Sequence, residues 1–167
     1  MNRKPFAVFS PCQRYRYMLG WPAKEGGTGI ALFVLANPST ATAEQTDPTV
    51  AKCIAYAARW GYEWCHVVNV RAWRETDPRK LPADPLAVGP DNDLHIVAEA
   101  QRANVVVAGW GKLGGARGFE VLRLLRENGK EPLALKLNGD GSPHHPLYVR
   151  MDTVPVPMPA TGAEARA

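Results

Sequence analysis

The stretch "GIALFVLANPSTATAEQTDPTVAKCIAYAARWGYEWCHVVNV", residues 29–70, decides the architecture. It opens on an apolar run, Gly29 to Ala36, that stops at Asn37-Pro38, and closes on a second run, His66 to Val70. Both runs are apolar and β-branched enough to be central strands covered on both faces. Between them the periodicity changes to that of a helix. Asp47 stands as N-cap, Pro48 takes the first helical position, Val50, Ile54 and Ala57 line one face, and Gly61 ends the element.

Working outward, "NVVVAGW" (104–110) reads as a third such strand and "PLALKL" (132–137) as a fourth, less regular one. "GPDNDLHIVAEAQRA" is helical, with Asp91 as cap and Leu94, Val97 and Ala98 inward. "RGFEVLRLLRENG" places Phe119, Leu122 and Leu125 or Arg126 along one face and closes on Gly129. Alternating strands and helices imply an α/β fold, a three-layer sandwich with a mainly parallel central sheet and ligands at the strands' carboxyl ends. Residues 1–151 are expected to form one domain and residues 152–167, rich in Pro and Ala, a flexible tail. The segment from Arg71 to Pro90 carries Pro78, Pro82, Pro85 and Pro90 and is long enough for a functional loop. Thr-Asp-Pro occurs twice, at 46–48 and 76–78.

Composition narrows the class. With 167 residues, 46% hydrophobic and 22% charged, the chain suits one globular core and neither disorder nor a fibre. No run of about 18 apolar residues exists to cross a membrane, and the amino terminus lacks the apolar core of a secretory signal, so a cytoplasmic protein is expected. Cys12, Cys53 and Cys65 lack C-x-x-C spacing, and His66, His95, His144 and His145 lack a ligand pattern. Neither a metal nor another cofactor is expected. A net charge of +4 permits an anionic partner without requiring one.

In a parallel sheet the carboxyl tips carry Asn37-Pro38, then Asn69 with Arg71, then Gly109-Trp110-Gly111-Lys112, with "GSPHHPLY" after the fourth strand. Taken singly, each tip also reads as a turn, a backbone-bonded amide or a solvated loop. "GWGKLGG" has neither P-loop nor dinucleotide spacing. Their order, in "ANPSTA", "VVNV", "VVVAGWGK" and "HHPLY", resembles the uracil-DNA glycosylase superfamily over about residues 30–148. Asn37 stands where the most active branch has an acid, and "HHPLY" lacks the small residue after His-Pro. A second resemblance runs through "CQRYRYML", "LANPSTA", "RWGY", "VVNV", "GPDND" and "HPLY" to an uncharacterised bacterial and phage family, a domain of unknown function that brings no activity with it.

The glycosylase resemblance implies a uracil-DNA-glycosylase-like fold and a nucleobase pocket. Asn37 and His145 would be catalytic, Asn37 holding the attacking water and His145 donating a hydrogen bond to the leaving base. Asp47 is either added base or simple helix cap. Asn69 offers a paired donor and acceptor to a base edge, and Trp110 is either a stacking face or core. In "QRYRYML" an extended chain puts Arg14 and Arg16 on one face, either as phosphate contacts with Arg71 and Lys112 or as a solvated edge. No wedge loop is readable, so a nucleotide, nucleoside or single strand suits the chain as well as duplex DNA. The function expected is N-glycosidic hydrolysis on DNA or a nucleotide. A non-catalytic nucleotide or nucleic-acid binding module is the alternative, and an enzyme with Cys53 or Cys65 as nucleophile a third.

Overall fold

A computed structural model of the chain describes residues 3–160. Seven strands form one mixed sheet in the order β1-β2-β4-β3-β5-β6-β7. They are β1 (Phe6–Phe9), β2 (Arg16–Pro22), β3 (Ile30–Leu35), β4 (Trp64–Asn69), β5 (Val105–Ala108), β6 (Leu133–Ala134) and β7 (Val156–Pro157). Three helices, α1 (Pro48–Arg59), α2 (Asn92–Arg102) and α3 (Gly115–Glu127), complete the fold. The four inner strands β4, β3, β5 and β6 are parallel, whereas β1, β2 and β7 run antiparallel to their inner neighbours. The expected α/β sheet is therefore mixed, because amino- and carboxyl-terminal segments outside the strand-helix alternation add antiparallel edges.

Successive strand residues point to opposite faces, and β3 divides accordingly. Leu32 and Val34 pack with Ile96 and Ala100 of α2 and Val121, Leu122 and Leu125 of α3. Ala31, Phe33 and Leu35 pack with Val50, Cys53, Tyr56 and Ala57 of α1 on the other side. Each large apolar side chain so buried contributes about 1.5–3 kcal/mol. The α1 start follows the sequence expectation: Pro48 is at the first turn and the Asp47 carboxylate accepts from Val50 N at 2.8 Å.

The inward face of α2 differs from the expected one. Leu94 is 72% exposed, and Asn92, Ile96, Glu99 and Ala100 are buried instead. Two polar contacts set this rotation. Asn92 Nδ2 donates to the carbonyls of Asn69 and Val70 (2.9 and 3.2 Å), and Glu99 meets His66 Nδ1 of β4 at 2.7 Å. Asp91 occupies the cap position but makes no side-chain capping bond. In α3, Leu122 and Leu125 face inward as expected, while Phe119 is exposed and Arg117 is buried, its Nε donating to Val70 O at 2.9 Å.

The expected tail is also partly docked. Val156 pairs with Ala134, Met158 enters the core, and Arg126 donates to the Met158 and Pro159 carbonyls. Residues 161–167 of the expected tail lie outside the described residues. No helix among the described residues is long and apolar enough to cross a membrane.

Candidate functional site

Register brings the polar strand tips to one edge. Leu35 pairs with Asn69 across β3 and β4, and Val34 with Ala108 across β3 and β5, so Leu35, Asn69 and Gly109 lie level at one edge, with Asn37 two residues beyond. Because β2 is antiparallel to β4, its first residue, Arg16, starts at that same edge. There a cavity of about 310 Å³ opens, lined by Arg16, Asn37, Asp47, Asn69, Glu75 and His145 among others. That volume lies at the small end of ligand sites.

Arg16 forms the floor. It is 2% exposed, and its Nη1 donates to Ala41 O (2.8 Å) and its Nη2 to Asn69 Oδ1 (3.3 Å). No carboxylate among the described residues lies within ion-pair distance of it. Burial pushes its guanidinium down to about 10, opposed by the Asp47 charge and reinforced by Arg74, so it stays charged at neutral pH. Arg16 Nε and Asn69 Nδ2 are both buried without an acceptor. A buried N–H without a partner is costly, so two of them beside a cavity mark a place for an acceptor group. With Oδ1 held by Arg16, Asn69 offers the site donors only, not the donor-acceptor pair expected from its residue type. Its own backbone is fixed from behind by Asn92.

Asn37 lies at the rim. Its Nδ2 donates to Glu75 O (2.7 Å) and Pro38 O (3.2 Å), tying the β3 tip to the loop after β4 and leaving Oδ1 as the amide's remaining group. Asp47 caps α1, one of the two roles weighed for it, and also lines the cavity. Glu75, which sequence reasoning missed, is a second carboxylate in the wall, with Oε1 accepting from Asp77 N at 3.1 Å. The repeated Thr-Asp-Pro was its available signal. Asp77 caps the 3-10 turn Pro78–Lys80 much as Asp47 caps α1, and Thr76 and Pro78 also line the cavity.

His145 precedes the 3-10 turn Pro146–Tyr148, and its Nδ1 accepts from Leu147 N (3.3 Å). The ring proton therefore sits on Nε2, a donor. Burial pushes the ring below its ordinary value; Asp47 works against this and His144 with it. At neutral pH the ring is uncharged. Its loop is held by α1. Tyr56 OH donates to Arg150 O (2.6 Å) and Val149 O (3.2 Å), and Lys52 Nζ donates to Val149 O. Gly109 makes the close approach possible, since a Cβ there would lie 3.0 Å from Pro146 and 3.1 Å from Leu35.

Other expected residues stand apart. Trp110 is 1% exposed in the core, pressed on Gly114 and Gly118, so the core reading holds and the stacking role has no support in its placement. Arg71 forms a two-point ion pair with Asp84 and donates to Leu113 O, which makes it a tie between loops and not a free phosphate contact. Lys112 is exposed and does not line the cavity; Leu113 does. Arg14 lies outside, its guanidinium 5.3 Å over the Trp73 ring. Arg14 and Arg16 thus separate into surface and floor, while Tyr15 and Tyr17 stack at 5.8 Å. Cys53 and Cys65, the third alternative's nucleophiles, are buried, burial pushes their thiols up, and neither lines the cavity.

A family model described as a protein of unknown function, DUF1643, matches residues 16–147, from the floor arginine to the turn after His145. The chain belongs to the DUF1643 family. The match confirms the second resemblance and leaves the first, to the uracil-DNA glycosylases, without a demonstrated link. No curated protein and no solved structure matches the chain.

Proposed function

We propose that the cavity binds a nucleobase and that the chain hydrolyses an N-glycosidic bond of DNA or a nucleotide, on a uracil-DNA-glycosylase-like plan. The carrying observation is that Arg16, Asn37, Asp47, Asn69 and His145, drawn from five separate segments, line one cavity. In this scheme Asn37 Oδ1 accepts a hydrogen bond from a water, and Asp47 or Glu75 takes its proton as the oxygen attacks the anomeric carbon. The C–N bond breaks with its electron pair moving onto the base. His145 Nε2–H and Asn69 Nδ2 then donate to the base edge, and the Arg16 charge offsets the anion that forms. The base leaves by taking up a proton from solvent.

A second reading, a binding module without turnover, is favoured by one feature: the Asn37 amide is engaged in clamping Glu75 and Pro38, and Asp47 Oδ1 in capping α1. Chromatographic base release from deaminated and modified DNA, nucleotides and nucleosides separates the two. Release that Asp47→Asn or Glu75→Gln abolishes supports hydrolysis. Binding without release from any of them supports the module.

A further inference from the structure

Outside the cavity lies a second, open groove of about 530 Å³ that shares Ser39, Glu75 and Thr76 with it and adds Arg14, Trp73 and Arg74. The two spaces form one continuous surface, deep at the Arg16 end and shallow at the Trp73 end. Its arginines are unlike most others of the molecule. Arg71, Arg79, Arg117 and Arg150 each face a carboxylate, whereas Arg14 and Arg74 form no ion pair among the described residues. Both are instead laid over rings, Arg14 over Trp73 at 5.3 Å and Arg74 over Phe9 at 4.5 Å. Stacking fixes a guanidinium by its face and leaves N–H donors at its edge. Arg74 uses one, to Gln13 O at 3.1 Å.

We propose that this groove is the phosphate subsite for the nucleoside whose base enters the cavity, which makes the substrate a phosphate ester of that nucleoside, met as a single strand. The proposal rests on the nucleobase reading of the cavity. Phosphate oxygens meet the edges of Arg14 and Arg74, the Ser39 and Thr76 hydroxyls assist, and the next base or sugar lies against Trp73. Two groove cations match the phosphates flanking one nucleotide. A duplex binder spreads about 6–10 such contacts over a wider basic face.

The test is fluorescence anisotropy with a labelled single-stranded deoxyoligonucleotide and with the same strand carrying abasic sites, in the parent, Arg14→Gln/Arg74→Gln and Arg14→Lys/Arg74→Lys. For two phosphate contacts on a single strand, parent affinity falls about sevenfold between about 50 and 200 mM salt. The glutamine variant binds the abasic strand at least about tenfold more weakly with that salt dependence lost, the lysine variant retains it, and thermal melting stays unchanged. A mononucleotide that competes as well as the strand overturns the single strand and keeps the phosphate subsite. Equal binding of the abasic strand by parent and glutamine variant, or no binding of it by either, overturns the subsite. The nucleobase reading has a separate readout: nucleosides that still bind, dependent on Asn69, leave it standing when the groove fails, and arginine-dependent binding of the abasic strand keeps the groove when it falls.

Discussion

Replacing Arg16 with methionine separates a side chain kept for a ligand from one kept for the fold. Holding this guanidinium charged at a position 2% exposed, where burial pushes it down to about 10, opposes folding by about 3 kcal/mol at 1.36 kcal/mol per pKa decade. Methionine fills a similar volume and removes that term. Against it stand the Ala41 carbonyl and Asn69 Oδ1, which lose their donors at about 1–3 kcal/mol each. Reorientation of the Asn69 amide recovers part of the second. The two sides nearly cancel, so urea denaturation of Arg16→Met is expected within about 2 kcal/mol of the parent. Binding behaves differently, because a charge-assisted contact to a developing or resident negative charge contributes about 2–4 kcal/mol. Affinity for nucleotides, or base release where it occurs, is expected to fall about 30- to 1000-fold. A variant destabilised by more than about 4 kcal/mol with its ligand affinity intact would refute the reasoning, since Arg16 would then be a structural cation.

At Asp47, asparagine keeps the cap and removes the charge while alanine removes both; Asp47→Asn is expected to melt near the parent temperature with turnover lost, and Asp47→Ala to lose a further ~1 kcal/mol of stability. His145→Gln should lower turnover and remove the ring's own contribution to the acid limb of the pH–rate profile, where protonation of Nδ1 breaks the bond from Leu147 N. In the parent, the ring's folded-state value lies below its ordinary 6.5, so its contribution to stability is present above 6.5, falls as pH drops toward the depressed value, and turnover declines over the same acidic window. Tyr56→Phe removes the two tyrosine bonds to the loop after His145 and leaves the one from Lys52, and calorimetry should show a loss of about 1–3 kcal/mol together with a lower kcat at similar KM. Trp110→Phe is expected to lower stability by about 1–3 kcal/mol and leave nucleotide affinity within about twofold, as its core position requires.

The parallel centre of the sheet was legible because β3 and β5 are covered on both faces and read as unbroken apolar runs, and β4 as a largely apolar one interrupted by His66 and Asn69. The α1 start was legible because Asp47 and Pro48 act locally. What escaped depends on partners far along the chain. The rotation of α2 follows from Asn92 meeting the β4 carbonyls and Glu99 meeting His66, contacts that hydrophobic periodicity does not encode. Strand β7 is two residues long and paired only to β6, too short to carry an alternating pattern. Within the candidate site, Asn37, Asn69 and His145 were legible from their place after strands. Glu75 was not, since it lies in a proline-rich loop and gains its position through backbone bonds to Asn37 and Pro38. Trp110 and Arg71 carried residue types suited to a site, yet close packing on two glycines claims one and Asp84 the other.

Side-chain nuclear magnetic resonance observes the buried donors of Arg16 and Asn69 directly. Titrating nucleobases and nucleoside monophosphates into labelled protein is expected to move the Asn69 Nδ2 and Arg16 Nε proton resonances together, and to leave the Trp110 indole proton in place. Resonances of Asn69 and Arg16 that stay fixed while every compound is taken to saturation, or shifts confined to residues away from the cavity, would contradict the nucleobase reading of the cavity.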